Sequence, residues 1–161
     1  MVEGGLDRAI NLAVSAHCGQ LDKGGQPYIL HPLRVMLACK TDPQRIAAVL
    51  HDTVEDGGVE LNLIRHWFGQ DIADAVDALS RRSGEDYAAF IERCAANDIA
   101  RTVKLADLRD NMDMSRLGRE PTIEDARRQW KYGDAVNVLM TADFAAQATP
   151  PHPDTTPGAE G

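Results

Sequence analysis

Apolar residues along this 161-residue chain fall at helical spacing, strand-type alternation is scarce, and glycine or proline interrupts the pattern at short intervals. Such a chain can bury its apolar surface only by packing short helices face to face. The first helix is expected over residues 6–18, with Leu6, Ile10, Ala13, Val14 and His17 on one face. Three glycines and Pro27 make residues 19–31 an ordered loop. A second helix is expected to open at Pro32, a residue tolerated in a first turn, with Leu33, Val35, Met36, Leu37 and Ala38 as its apolar set. A third follows with Asp42 as its cap and Pro43 next. Its Ile46, Ala47, Val49 and Leu50 mark it as largely buried. Gly57-Gly58 is a turn, and further helices are expected over residues 61–67, 70–80, 87–95, 98–111 and 123–144. The expected fold is an all-α helical bundle with a single domain over residues 1–144. The Pro- and Thr-rich segment 145–161 cannot bury apolar surface and is expected to be a disordered tail.

The composition is that of an ordinary globular protein, 43% apolar and 26% charged. No apolar run approaches the ~18 residues that span a bilayer. Met1–Gly5 lacks a basic region followed by an apolar one, so a cytoplasmic location is expected. Cys18, Cys39 and Cys94 are odd in number and form no CxxC pair, and they read as buried thiols in a reducing compartment. A net charge of −8 argues against general nucleic-acid binding, though not against a nucleotide ligand.

The chemistry concentrates around His51-Asp52-Thr53-Val54-Glu55-Asp56. His51 and Asp52 are two metal ligands of different type, His31-Pro32 offers a second imidazole, and Asp107 in Lys104-Leu105-Ala106-Asp107 a second carboxylate. Each alone has a structural explanation: a core histidine, a capping aspartate. Yet an unpaired Asp107 in an apolar stretch is costly, and one divalent cation would satisfy all four groups at once while leaving positions open for water or substrate. Adjacent helical residues point ~100° apart, so His51 and Asp52 can share a metal only near a helix end, which the acidic, glycine-flanked turn after them allows. Glu55 and Asp56 follow where a group that takes a proton from water is useful. The combination points to metal-dependent hydrolysis of a phosphate ester.

These residues, taken in order with Ala16-His17-Cys18-Gly19-Gln20, Pro27-Tyr28-Ile29-Leu30-His31-Pro32, Phe68-Gly69 and Asn111, resemble the HD-type hydrolase domain of RelA/SpoT proteins, and the length resembles the stand-alone small alarmone hydrolases. The likeness runs over residues 6–143. It implies an α-helical HD domain holding one Mn²⁺ per chain at His31, His51, Asp52 and Asp107, with Glu55 and Asp56 as the catalytic acidic pair. It also implies removal of the 3′-pyrophosphate of ppGpp or pppGpp to give GDP or GTP. The loop before Pro27 departs from the family pattern. Lys23 stands where a lysine can face phosphate, but Asp22 replaces an arginine that packs on guanine, and Gly24 replaces a serine. An aspartate there can accept hydrogen bonds from a base amino group, which keeps an adenine analogue such as ppApp in view. Asn111 matches a ribose contact, and Leu117 and Met114 lie toward the base or in the core. Lys104 either neutralises phosphate or pairs with a nearby acid.

Other titratable and aromatic residues carry structural expectations. His17 reads as a hydrogen-bonded core histidine and His66 as a surface residue. Arg81-Arg82, Arg127-Arg128 and Lys131 read as solvated faces, and Trp67 and Trp130 as packing residues. The expected partner is a small nucleotide, with no nucleic acid and no membrane. An HD phosphohydrolase acting on NADPH or a nucleoside monophosphate is the enzymatic alternative. A nucleotide sensor without turnover would not need to keep Glu55 and Asp56.

Overall fold

The computed structural model describes residues 5–148. Eight α-helices follow one another: α1 (Gly5–Ala16), α2 (Leu30–Ala38), α3 (Asp42–Leu50), α4 (Leu61–Phe68), α5 (Gln70–Leu79), α6 (Tyr87–Ala95), α7 (Asp98–Met112) and α8 (Ile123–Ala148), with a single 3₁₀ turn at Met114–Arg116 between the last two. Among the described residues the only extended pairing is an isolated bridge between Leu21 and Pro27 inside the loop before α2. Among the described residues no helix is long and apolar enough to cross a membrane.

The helix α7 runs through the middle, against α2, α3, α5, α6 and α8. The other central element is α3, whose Ala47, Ala48, Val49 and Leu50 are fully buried. With α2 and α7 on either side, α3 holds its C-terminal end, and so His51, on a stiff base. The α1 helix reaches α3 through small residues. Gly5, Ala9 and Ala13 form its buried face, and Gly5 is close enough that an added Cβ would sit 3.4 Å from the Ile46 side chain. Val14, expected on that face, is half exposed, because close approach selects the small side chains. Between α4 and α5 the chain turns through Gly69 at φ +90°, a conformation that L side chains rarely adopt.

Several boundaries differ from expectation by a residue or a turn. Thr41, not Asp42, caps α3: it is extended, its side chain accepts from the Gln44 N–H, and the Gln44 side chain reaches back to the Thr41 N–H. This reciprocal pair satisfies two orphan donors, which a lone Asp cap would not. The α2 helix opens at Leu30 rather than Pro32, which brings His31 into its first turn. The last helix continues to Ala148, past the boundary expected at residue 144, and the remainder of the expected tail, with His152, lies outside the described residues. Trp130 is 78% exposed on the outer face of α8, not packed. Trp67 is half-buried beneath the Arg8 guanidinium. Leu37 faces solvent, and of the three cysteines only Cys39 and Cys94 are buried. His66 is exposed, as expected.

Candidate metal centre

His31, in α2, and His51, at the C-terminal end of α3, meet in a T-shaped arrangement with ring centroids 5.3 Å apart. Each ring has its Nδ1 occupied. His51 Nδ1 lies 2.7 Å from the Ala48 carbonyl oxygen. That oxygen can only accept, so Nδ1 carries the proton. His31 Nδ1 lies 2.7 Å from Asp110 Oδ2, a carboxylate already held by the Arg34 and Arg116 guanidinium groups, and the same assignment follows. Each ring thus has Nδ1 engaged and turns Nε2 toward a common point, the orientation a metal ligand needs once the cation displaces the proton on Nε2.

Two carboxylates face that point. His31 Nε2 is 3.1 Å from Asp107 Oδ1 and 3.9 Å from Asp52 Oδ2. His51 Nε2 is 2.8 Å from Asp52 Oδ2 and 3.7 Å from Asp107 Oδ1. Ligand atoms of His31, His51 and Asp52 lie within 4.8 Å of one another. Buried His51 Nε2 has no well-directed hydrogen bond despite its short contact with Asp52. A buried, unsatisfied nitrogen among two carboxylates and a second imidazole fits a divalent cation. The geometry comes from the helix end. The α3 helix closes at Leu50, so His51 is its C-cap and Asp52 begins the turn, which lets adjacent residues converge.

The surrounding donors hold these groups in place. Lys104 Nζ donates to Asp107 Oδ2 at 2.7 Å, and the Asn111 side-chain amide donates to Asp107 Oδ1 at 2.6 Å. The Tyr28 hydroxyl donates to Asp52 Oδ2. Burial works against the charged form of each acid. For Asp107 the Lys104 ammonium outweighs it and holds the carboxyl well below the usual range. For Asp52 the neighbouring His51 does the same and leaves it at about 2. Burial would also lower His51, but the Asp52 and Asp107 carboxylates hold it well above the ordinary histidine value. Asp56 is moved the other way, up, by burial and by the Asp52 charge.

The donors line one end of a cleft of about 220 Å³ that also presents Glu55, Arg81, Lys131 and Tyr132. Glu55 Oε2 accepts the backbone N–H of Arg81 at 2.8 Å. The Asp56 backbone carbonyl accepts from Gln20, whose side-chain oxygen lies 2.9 Å from Nδ1 of the buried His17, and Asp56 does not line this cleft. A second cavity of about 350 Å³ adjoins the first through Tyr28, His31, Asn111 and Tyr132. Its walls carry Lys23, Arg116 and Arg128 together with the apolar Leu21, Met114 and Leu117, a size and mix suited to a nucleoside with phosphate attached.

The structure brings together His31, His51, Asp52 and Asp107, and sets Glu55 in the same cleft. It places Lys23, Asn111 and Leu117 around the second cavity. Lys104 is committed to Asp107. Asp22 lines the second cavity, but its Oδ1 accepts the backbone N–H groups of Gly24 and Gln26, both at 2.9 Å, so that oxygen shapes the loop. Gly24 is explained by the same loop: an added Cβ would fall 2.5 Å from the Arg116 carbonyl oxygen, leaving no room for the serine of the resemblance. Arg81 and Lys131 are solvent-exposed, as expected, yet they and Arg128 line the cavities, and Tyr28, Asp110 and Tyr132 join them. Asp110, one turn after Asp107 on α7, and Tyr28, one turn before His31, carried a spacing signal. The arginines and Lys131 carried none.

An HD domain family model matches residues 9–117, a span that contains all four candidate ligands and both acids of the turn. The chain belongs to the HD domain family. Relatives sharing this domain include a guanosine-3′,5′-bis(diphosphate) 3′-pyrophosphohydrolase from Aquifex aeolicus, 32% identical over 71% of this chain and 18% of its own length. A probable GTP pyrophosphokinase from Mycobacterium leprae is 32% identical over 70% of this chain and 16% of its own length. The chain thus spans less than a fifth of these relatives, and the likeness concerns their HD domain. A solved structure described as a metazoan ortholog of SpoT that hydrolyses ppGpp superimposes with a TM-score of 0.70, covering 89% of this chain and 96% of that one at 21% identity. That agreement fixes the helical HD fold.

Proposed function

We propose that this HD domain is a manganese-dependent phosphohydrolase that removes the 3′-pyrophosphate of guanosine tetra- or pentaphosphate, leaving GDP or GTP and free pyrophosphate. The observation that carries the reading is the convergence of His31 Nε2, His51 Nε2, Asp52 and Asp107 beside a cavity of nucleoside size. The names of the relatives that share the domain support the substrate class.

A divalent cation bound at these donors supplies charge neutralisation on a phosphoryl oxygen and a more acidic water. The protein's own groups do the rest. Glu55 lines the cleft as the acceptor for the proton of the attacking water, and Asp56, outside the cleft lining with its carboxyl raised by burial and by the Asp52 charge, is the second acid of the pair. Arg81 and Lys131 face the departing pyrophosphate, while Lys23 and Arg128 hold phosphate at the nucleoside side. Water adds to the phosphorus bonded to O3′, the O3′–P bond breaks, and the ribose oxygen leaves as a hydroxyl by taking up the proton that Glu55 accepted from the water. Tyr132 and Asn111 sit where the two cavities join and orient the ribose between them. The reading includes a reducing cytoplasmic setting, in keeping with three unpaired cysteines.

Asp22 favours a second reading in which the base is adenine. Its loop bonds use Oδ1 alone, which leaves the other oxygen as an acceptor for an exocyclic amine. The experiment is direct. Purified protein with Mn²⁺ is incubated with ppGpp, ppApp, NADPH and nucleoside monophosphates, and the products are separated by ion exchange. Pyrophosphate from ppGpp supports the first reading and from ppApp the second. Pyrophosphate from neither ends both.

A further inference from the structure

We infer that Asp110 is the positioning residue for His31: a carboxylate clamped by two arginines that fixes which nitrogen His31 turns to the cation and where. The inference rests on the metal-centre reading above. Asp110 Oδ2 is 2.7 Å from His31 Nδ1, on the side of the ring opposite the candidate metal position. The contact joins α2 to α7 across 79 positions of sequence, so it is a product of the fold rather than of local geometry.

Asp110 is itself held on several sides. Arg34, one turn after His31 on α2, takes it with two hydrogen bonds, Nε to Oδ1 at 2.7 Å and a terminal nitrogen to Oδ2 at 3.0 Å. Arg116, from the 3₁₀ turn, reaches both Oδ2 at 3.2 Å and the Asp110 carbonyl oxygen. The carboxylate is therefore neither free to rotate nor free to leave. A ring that donates Nδ1–H to such an anion presents Nε2 at a fixed angle and is a better electron donor for the cation. The equivalent bond on His51 goes to a neutral backbone carbonyl. The two histidines are thus unequal, and the charged support belongs to His31. Arg116 also ties the device to the nucleoside cavity, since its own carbonyl oxygen lies where Gly24 of the binding loop packs.

The test measures Mn²⁺ binding to chelator-stripped protein by calorimetry, with no nucleotide present. Asp110→Asn keeps an oxygen for Nδ1–H and loses the charge, whereas Asp110→Ala loses both. Supporting groups of this kind change metal affinity by roughly 10–100-fold, so the dissociation constant is expected to rise about 10-fold in Asp110→Asn and toward 100-fold in Asp110→Ala. Arg34→Gln, which loosens the clamp and leaves Asp110 in place, falls between wild type and Asp110→Asn. Asp98→Asn, which removes an ion pair with Arg101 at the far end of α7, leaves binding unchanged. If Asp110→Ala does not fold, Asp110→Asn and Arg34→Gln decide. Folded Asp110→Asn and Arg34→Gln proteins that bind Mn²⁺ within twofold of wild type overturn the inference, as does a wild-type protein that binds no Mn²⁺. A wild type that binds Mn²⁺ and cleaves no alarmone ends the proposed function and leaves this inference standing.

Discussion

Lys104 Nζ lies 2.7 Å from Oδ2 of Asp107, one turn along α7, with both side chains almost wholly withdrawn from water. The ammonium also sits 4.9 Å from the centre of the Phe90 ring, so the ring and the carboxylate hold it on two sides. Removing one partner of a buried pair leaves the other charge uncompensated, at a cost of roughly 3–5 kcal/mol. Lys104→Met is therefore expected to lose about 3 kcal/mol in chelator. Mn²⁺ should restore part of it, because a cation beside Asp107 replaces the missing positive charge. Urea unfolding with and without Mn²⁺ checks this. An equal loss in both conditions would detach Asp107 from the metal centre.

The loop that carries Asp22 and Lys23 lies directly on the 3₁₀ turn. A side chain at position 24 would meet the Arg116 carbonyl oxygen at 2.5 Å and the Asp22 carboxylate at 3.3 Å, and backbone cannot give way as a flexible side chain can. Gly24→Ser should cost about 1–3 kcal/mol through this crowding and push the loop off the nucleoside cavity, raising KM for the nucleotide more than it lowers kcat. Steady-state kinetics and thermal unfolding test both parts. An unchanged KM would show that the loop is not part of the binding wall.

Much of the metal centre was readable because its signals are local. Helical spacing up to Leu50 followed by Gly57-Gly58 announces a helix end, and a helix end is what lets His51 and Asp52 converge. Asp107 stood out as a carboxylate in an apolar run. What escaped depends on which helix meets which. Asp110 gains its role only when α7 packs on α2, and Arg81 and Lys131 become cavity walls only because α8 crosses near the segment after α5. Arg81 and Lys131 are exposed as well, and a solvated charge shows that it also lines a cavity only once the neighbouring element is known. Trp130 fails in the opposite direction: a large aromatic suggests packing, but α8 turns that face outward.

The start of α3 carries a smaller prediction with a clear mechanism. Thr41 accepts the Gln44 N–H and Gln44 returns a hydrogen bond to the Thr41 N–H. Losing a cap of this type costs about 0.5–2 kcal/mol, so Thr41→Ala should be destabilised within that range while Asp42→Ala, one position inside the helix, loses less. The reverse order in chemical denaturation would reassign the cap to Asp42. Because α3 presents His51, the Thr41 variant should also bind Mn²⁺ slightly more weakly.

Glu85 and Arg93 give the pH prediction. The Arg93 guanidinium holds the carboxylate with two bonds, at 2.7 and 2.8 Å, and the Arg82 N–H adds a third. The side-chain bonds to Arg93, helped by that backbone bond, pull the Glu85 carboxyl down to about 2. In the unfolded chain it titrates near an ordinary glutamate value of roughly 4.3. An acid with a depressed folded value binds fewer protons folded than unfolded, so its contribution is complete above roughly 4.3 and is lost as pH falls through the folded value. Wild-type stability should therefore drop more steeply than that of Glu85→Gln between pH 5 and about 2, with the two curves parallel above that window. Thermal unfolding at stepped pH measures the difference. Parallel curves down to the acid limit would show that Arg93 does not hold Glu85 in solution. The same segment offers the Arg81 N–H to Glu55, so Glu85→Gln should also lower kcat at neutral pH, where the two stability curves run parallel with the variant below wild type.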